Sequence, residues 1–114
     1  MRLFRNATRG TVLSAQTEIA DNILSRLCGL LFRATLAEGD GLYLVPCKTI
    51  HMFWMRFAID CVFIDNLGQV VGLVERIQPG RISPCFTKAH GCLELSAGTI
   101  ANSGTYLGDI VEIE

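Results

Sequence analysis

The stretch "IHMFWMRFAID" (50–60) gathers the chain's only tryptophan with a histidine, an arginine, an aspartate and two methionines. Histidine is the side-chain type suited to proton transfer near neutral pH, so His51 could move a proton or hold a ligand; a boundary histidine with satisfied nitrogens is its ordinary role. Trp54 and Met55 offer apolar contact. Packing is their ordinary use, but an exposed Trp54 would be a platform for a planar or sugar-like ligand. Asp60, if buried, needs a partner, and Arg56 or Arg33 could supply it as a structural ion pair. Extended, the stretch puts His51, Phe53 and Met55 on one face and Trp54, Arg56 and Asp60 on the other, so both faces would need cover. The aromatics and the β-branched run after Asp60 favour extended chain.

Other candidates lie farther along. Glu94 in "CLELSAG" faces water if one side of its strand is open, and is a buried acid if both sides are covered. Arg33 could grip a carboxylate of the protein or of a ligand. Asp109, after Gly108, fits a turn whose side chain binds nearby backbone amides. Cys47-x3-His51 and Cys85-x4-His90-x-Cys92 supply five soft ligands without the tight spacing of a zinc ribbon, so no metal and no cofactor are expected. Cys47 or Cys85 beside a histidine could act as a nucleophile, but no known signature surrounds either one. With five cysteines in all, the expectation is reduced, mostly buried thiols.

The elements that would position these groups are short. Residues 11–19 read as a strand leading into a helix over 21–32, where Ile23, Leu24, Leu27, Leu30 and Leu31 share one face and Asp21 caps the start. Residues 42–45 are a strand ended by Pro46. Residues 59–65 and 69–77 form a hairpin around Asp65-Asn66-Leu67-Gly68, with Gly68 suited to a positive φ. Residues 78–84 are loop, 92–96 alternate as a strand, 96–104 form a short helical turn, and 108–114 close the chain as a strand. About six short strands with one or two short helices predict a mainly-β single domain of sandwich or barrel type, over 11–114. Residues 1–10, with Arg2, Arg5 and Arg9, read as a flexible tail.

Composition fits this plan. The 114 residues are 50% hydrophobic and 18% charged, with 10 basic against 11 acidic side chains. That is a globular composition without the basic excess of a nucleic-acid binder. No run approaches the ~20 apolar residues of a membrane span. No signal-type apolar run opens the chain, so a cytoplasmic location is expected.

Beyond these readings, "RLCGLLFR" (26–33), "GLYLV" (41–45), "HMFWMRFAIDCVFID" (51–65), "LELSAG" (93–98) and "GD" (108–109) occur in an order and spacing that resemble the bacterial and archaeal family called domain of unknown function 192. The matched positions include Arg26, Gly29, Arg33, Gly41, Phe53, Trp54, Met55, Asp60, Phe63, Asp65, Glu94, Gly98, Gly108 and Asp109. The resemblance implies a small mainly-β domain and brings no activity, cofactor or catalytic residue. Ala58 stands where the family often has proline, and the cysteines lie outside its pattern.

The leading expectation is a non-catalytic module binding a small polar ligand or a peptide in a pocket lined by His51, Trp54, Met55, Arg33, Arg56, Asp60 and Glu94. The alternatives are a small-substrate hydrolase or isomerase using His51 with a carboxylate as acid–base pair, and a structural protein without a small-molecule site. Nucleic acid and membrane are not expected partners, and the residues fix no oligomeric state.

Overall fold

Every residue of "IDCVFI" is buried, and a strand buried at all its positions must be covered on both faces. A computed structural model, describing residues 1–22, 30 and 33–114, supplies both covers. The strands are β1 (Arg2–Asn6), β2 (Thr11–Ala20), β3 (Asp40–Leu44), β4 (Ile59–Ile64), β5 (Val70–Ile77), β6 (Gly91–Ser96) and β7 (Val111–Ile113), with the short helix α1 (Thr99–Ser103) before β7. They form one curled sheet in the order β5-β4-β6-β3-β2-β1-β7, a half-barrel in a single mainly-β domain. The sheet is antiparallel except where β2 runs parallel to β3. The helix expected over 21–32, with Arg26 and Gly29, lies outside the described residues. Among the described residues no helix is long and apolar enough to cross a membrane.

Alternation along the strands divides the apolar residues between two cores. Phe4, Val62, Leu93, Leu95 and Val111 join Ile100 of α1 on the face that the sheet encloses. Leu42, Leu44, Cys61, Phe63 and Cys92 point the other way, beneath Leu30, Leu36, Ile50 and Met52. The β4–β5 turn is the expected one. The Asp65 carboxylate accepts hydrogen bonds from the amides of Leu67 and Gln69, both at 2.9 Å, and Gly68 takes a φ of 87° that other residues rarely adopt.

Two bulges interrupt the β4–β5 ladder. Glu75 and Arg76 together oppose Asp60, and Val71 is an extra residue between the pairs Phe63–Gly72 and Ile64–Val70. The sheet's two edge strands meet at one end, where the Val70 amide donates to the Asp109 carbonyl at 2.8 Å and the Val111 amide to the Gly68 carbonyl at 2.8 Å.

The first residues are a correction to the expected tail. They form β1, paired with both β2 and β7. Phe4 and Asn6 are fully buried on one side of the strand, Arg5 faces water on the other, and Arg2 is exposed at the strand's first position. Beyond the strand, Arg9 reaches Asp109 through two hydrogen bonds of 3.0 and 3.1 Å and lies over the Tyr106 ring. Asn6 Nδ2 and the Tyr106 amide complete the grip on the buried Asp109 carboxylate. The Tyr106 amide is the local contact that the turn at Gly108-Asp109 predicts, and the contacts from Asn6 and Arg9 come from the tertiary fold.

Hydrogen bonds from Arg9, then Asn6 and Tyr106, outweigh burial and hold Asp109 at about 2 against an ordinary 3.8. The folded carboxylate stays ionised where the unfolded one protonates. Its contribution is therefore full above the unfolded value and is lost as pH falls through the folded one. In Asp109→Asn, thermal midpoints should fall less steeply than in the wild type between about pH 4 and pH 2.

Candidate functional site

The sheet separates the two carboxylates that were expected to share a site. On β4, Asp60 alternates with Cys61; on β6, Glu94 lies opposite Cys61 and Leu95 opposite Asp60. Glu94 therefore shares the face of Cys61 and Cys92, under the 50–57 segment, while Asp60 points to the opposite, enclosed face.

Asp60 is fully buried, and its partners are backbone amides and not an arginine. Oδ1 accepts from Arg76 N at 2.8 Å, and Oδ2 from Gly98 N at 3.1 Å and Ile100 N at 2.8 Å. Arg76 has a φ of 51° and Gly98 one of 97°, so the carboxylate ties the β5 bulge to the start of α1. This is a fold-holding role with no acceptor atom turned outward. Removing it would leave three amides without a partner, at roughly 1–3 kcal/mol for each one left dry. Asp60→Ala should lose at least about 3 kcal/mol in urea unfolding, and Asp60→Asn less, because one amide oxygen still accepts.

Glu94 has the opposite environment. It lies in the middle of the sheet between Leu42 and Cys61, and is buried with no hydrogen-bond donor to its carboxyl among the described residues. Burial, with a smaller effect from Cys47, pushes it up to about 8, so it carries a proton at neutral pH. A neutral acid there can donate a hydrogen bond, but it is a poor base. The folded form holds its proton from the ordinary 4.5 up to about 8, while the unfolded form releases it. Stability should therefore fall as pH rises through that interval. Glu94→Gln should match the wild type below it and be the more stable protein above it, as read from urea midpoints.

Three thiols surround this acid. Cys61 and Cys92 are fully buried on its face, and Cys47 packs against them. Burial, and then contact with Cys47 and Cys61, pushes the Cys92 thiol well up. At Cys61 the Cys92 hydrogen bond pulls down, but burial and the nearby acids prevail, and the net shift is upward. Cys85 is exposed and lies apart from this group. Among the described residues no three Cys, His, Asp or Glu side chains assemble to hold a metal ion.

The opening stretch is extended only briefly. Ile50 to Met52 run antiparallel to residues 81–83, with His51 opposite Ile82, and Ile50 and Met52 are buried. The Met55 amide then bonds back to the Met52 carbonyl at 3.2 Å, which closes a turn with Phe53 and Trp54 at its corner. Trp54 occupies the third position of that turn with a φ of 62°, where such turns ordinarily place glycine. The residue is 79% exposed, so the expectation that Trp54 packs inside is corrected. His51 stacks on Phe53 with centroids 4.8 Å apart, and Phe53 meets Trp54 edge-on at 6.0 Å, making an outward ledge of three rings. Met55 packs against the core, and Arg56 is exposed.

Arg33 meets Glu18 through one contact of 3.2 Å at the surface, an arrangement worth little stability. Among the described residues no carboxylate pairs with His51. Gly41 packs on Ser14, and Gly108 precedes the Asp109 clamp. An open cavity of about 500 Å³ lies elsewhere, lined by Val71, Gly72, Leu73, Phe86, Tyr106 and Leu107, and contains none of the expected site residues.

With this geometry in place, comparison with known proteins settles the family. The family model described as "Uncharacterized ACR", domain of unknown function 192, matches residues 4–113. The chain belongs to this family. Its similarity to a UPF0127 protein of Thermococcus sibiricus is 30% identity, covering 96% of this chain and 73% of that one. A UPF0127 protein of Pyrococcus furiosus is 29% identical, with 94% of each chain covered. A crystal structure of a protein of unknown function from Novosphingobium aromaticivorans superposes with a TM-score of 0.83 at 24% identity, covering 97% of this chain and 82% of that one. This structural likeness speaks for the fold. The domain of unknown function 192 is uncharacterised, so function here rests on the ledge and the buried groups.

Proposed function

We propose that this member of the domain of unknown function 192 family is a non-catalytic binding module. Its ligand is a small polar molecule with a flat face, taken on the ring ledge of His51, Phe53 and Trp54. The observation that carries this reading is Trp54 itself, held at a φ of 62° with about four-fifths of the residue exposed to water. A bulky residue in the left-handed region costs about 1–2 kcal/mol, and a tryptophan left outside recovers little of that by burial. Such a conformation persists where the surroundings impose it, and at surfaces of this kind it accompanies binding. Neighbouring rings pre-order the platform, and Arg56, two residues on, is exposed beside it for a ligand's polar or anionic group. Stacking on an aromatic face suits sugars and planar heterocycles alike.

The acid–base alternative finds less support. His51 faces outward, Asp60 is committed to three amides, and Glu94 holds its proton at neutral pH. A cytoplasmic location is the companion reading, supported by the free thiols of Cys61, Cys85 and Cys92.

The single tryptophan makes the test direct. Titration with a panel of free sugars and planar heterocycles should give saturable changes in Trp54 emission with at least one class. The same compound at ~100 times its dissociation constant should add about 2.7 kcal/mol of stability. Trp54→Gly relieves the strained φ, so its fold should stay within about 1 kcal/mol of the wild type while the ligand-induced thermal shift disappears. An unchanged shift in Trp54→Gly, or no response to any member of the panel, would overturn the reading.

A further inference from the structure

Two segments outside the named strands form the surface around the ledge. Residues 46–58 and 78–90 run antiparallel beside each other. The Met52 amide donates to the Arg81 carbonyl at 2.7 Å, the Ser83 amide to the Ile50 carbonyl at 2.9 Å and the Phe86 amide to the Lys48 carbonyl at 2.8 Å. Ile82 lies opposite His51, so the two share a face, and the exposed Ile82 extends the apolar ground beside the rings.

The formal charges of this surface are all of one sign. Of the chain's 10 basic and 11 acidic side chains, the two segments hold Lys48, Arg56, Arg81 and Lys88, and no Asp or Glu. Elsewhere Arg5, Arg9 and Arg33 each meet a carboxylate. Among the described residues Arg56 and Arg81 meet none, and both are exposed. Arg56 stands two residues past Trp54. Arg81 adjoins Ile82 and bonds through its carbonyl to Met52, the residue between His51 and Phe53. The platform thus has one uncompensated guanidinium on its own segment and another on the neighbouring one. Cations without carboxylates raise a local positive potential that draws anions, and a guanidinium matches a phosphate with two parallel donors.

Resting on the ledge reading, we infer that the molecule taken there is a free mononucleotide. Its base stacks on the rings and its phosphate is held by Arg56 and Arg81. A sugar would use the platform and leave both cations idle. A phosphate monoester carries about −1.5 to −2 charges at neutral pH, which suits two guanidiniums better than the single charge of a carboxylate. A polynucleotide fits less well. Single strands are bound in basic grooves that follow the backbone past several stacking platforms. Here the ring row is short, with successive centroids 4.8 and 6.0 Å apart, and all 11 acidic side chains lie in the rest of the chain.

Trp54 emission reads the test on the whole protein. It is titrated with adenosine, guanosine and cytidine, each paired with its monophosphate, with a short single-stranded oligonucleotide, and with phosphatidylcholine vesicles containing phosphatidylglycerol. For at least one base the monophosphate should bind about 10-fold or more tightly than the nucleoside, as charge-assisted hydrogen bonds allow. That ratio should shrink at high salt, which screens exposed charges. It should fall to about one in Arg56→Gln/Arg81→Gln and persist in Arg5→Gln, which removes a cation of β1. Thermal midpoints of both variants check that they fold. A ratio near one in the wild type, or an unchanged ratio in Arg56→Gln/Arg81→Gln, would overturn the inference. So would vesicles or the oligonucleotide binding where the monophosphates do not. Nucleosides that bind with no gain from phosphate sink the mononucleotide and leave the ledge reading standing. Silence from sugars and uncharged heterocycles as well sinks both.

Discussion

The Asp60 carboxylate is the point on which the order of this half-barrel depends. A charge with no exposed surface survives only where donors surround it, and here three backbone amides converge on two oxygens. One amide belongs to the β5 bulge and two to the turn entering α1. Those segments are distant in sequence and have no apolar reason to take left-handed backbone at Arg76 and Gly98. The carboxylate makes both conformations mutually necessary. With α1 set, Ile100 plugs the enclosed core; with the bulge set, β5 curves around it.

The two faces of the central strands show how one residue type acquires different properties. Asp109 and Asp60 sit among donors, and Asp109 is an acid of well below ordinary strength of proton retention. Glu94, a few ångströms of sheet away from Asp60, meets leucine and thiols and keeps its proton. Donors keep the Asp109 carboxyl ionised, and burial without them keeps the Glu94 proton on. The apolar face thereby avoids a buried charge, and the thiols beside Glu94 sit against a neutral neighbour at neutral pH.

Much of the fold was legible in the sequence because it rests on local patterns. β-branched runs on either side of Asp65-Asn66-Leu67-Gly68 specify the β4–β5 hairpin, alternation in "CLELS" specifies β6, and the small residues of "SAGTIANSG" specify a single helical turn. β1 was not legible, since its strand character lies in Phe4 and Asn6 between arginines that read as a solvated tail. The partners of Asp60 were hidden for a different reason: backbone amides are present at every position, and only the tertiary fold chooses three of them. Trp54 was misplaced because its exposure follows from a turn conformation that sequence statistics reserve for glycine. The burial of Glu94 was conditional on both sheet faces being covered, a property of the whole chain that no single strand reveals.

The β5 bulges also bear on how copies of the protein behave toward each other. β5 is an edge strand, and a long flat edge recruits other chains into intermolecular sheets. Here the extra residues at Val71 and at Glu75–Arg76 break the even spacing of free amides and carbonyls, and the charged pair projects at the edge. The opposite edge, β7, has only three residues. A half-barrel left open along most of its length is thereby a poor template for polymerisation, and the same kink that seats Asp60 protects a concentrated solution of the protein from edge-to-edge aggregation.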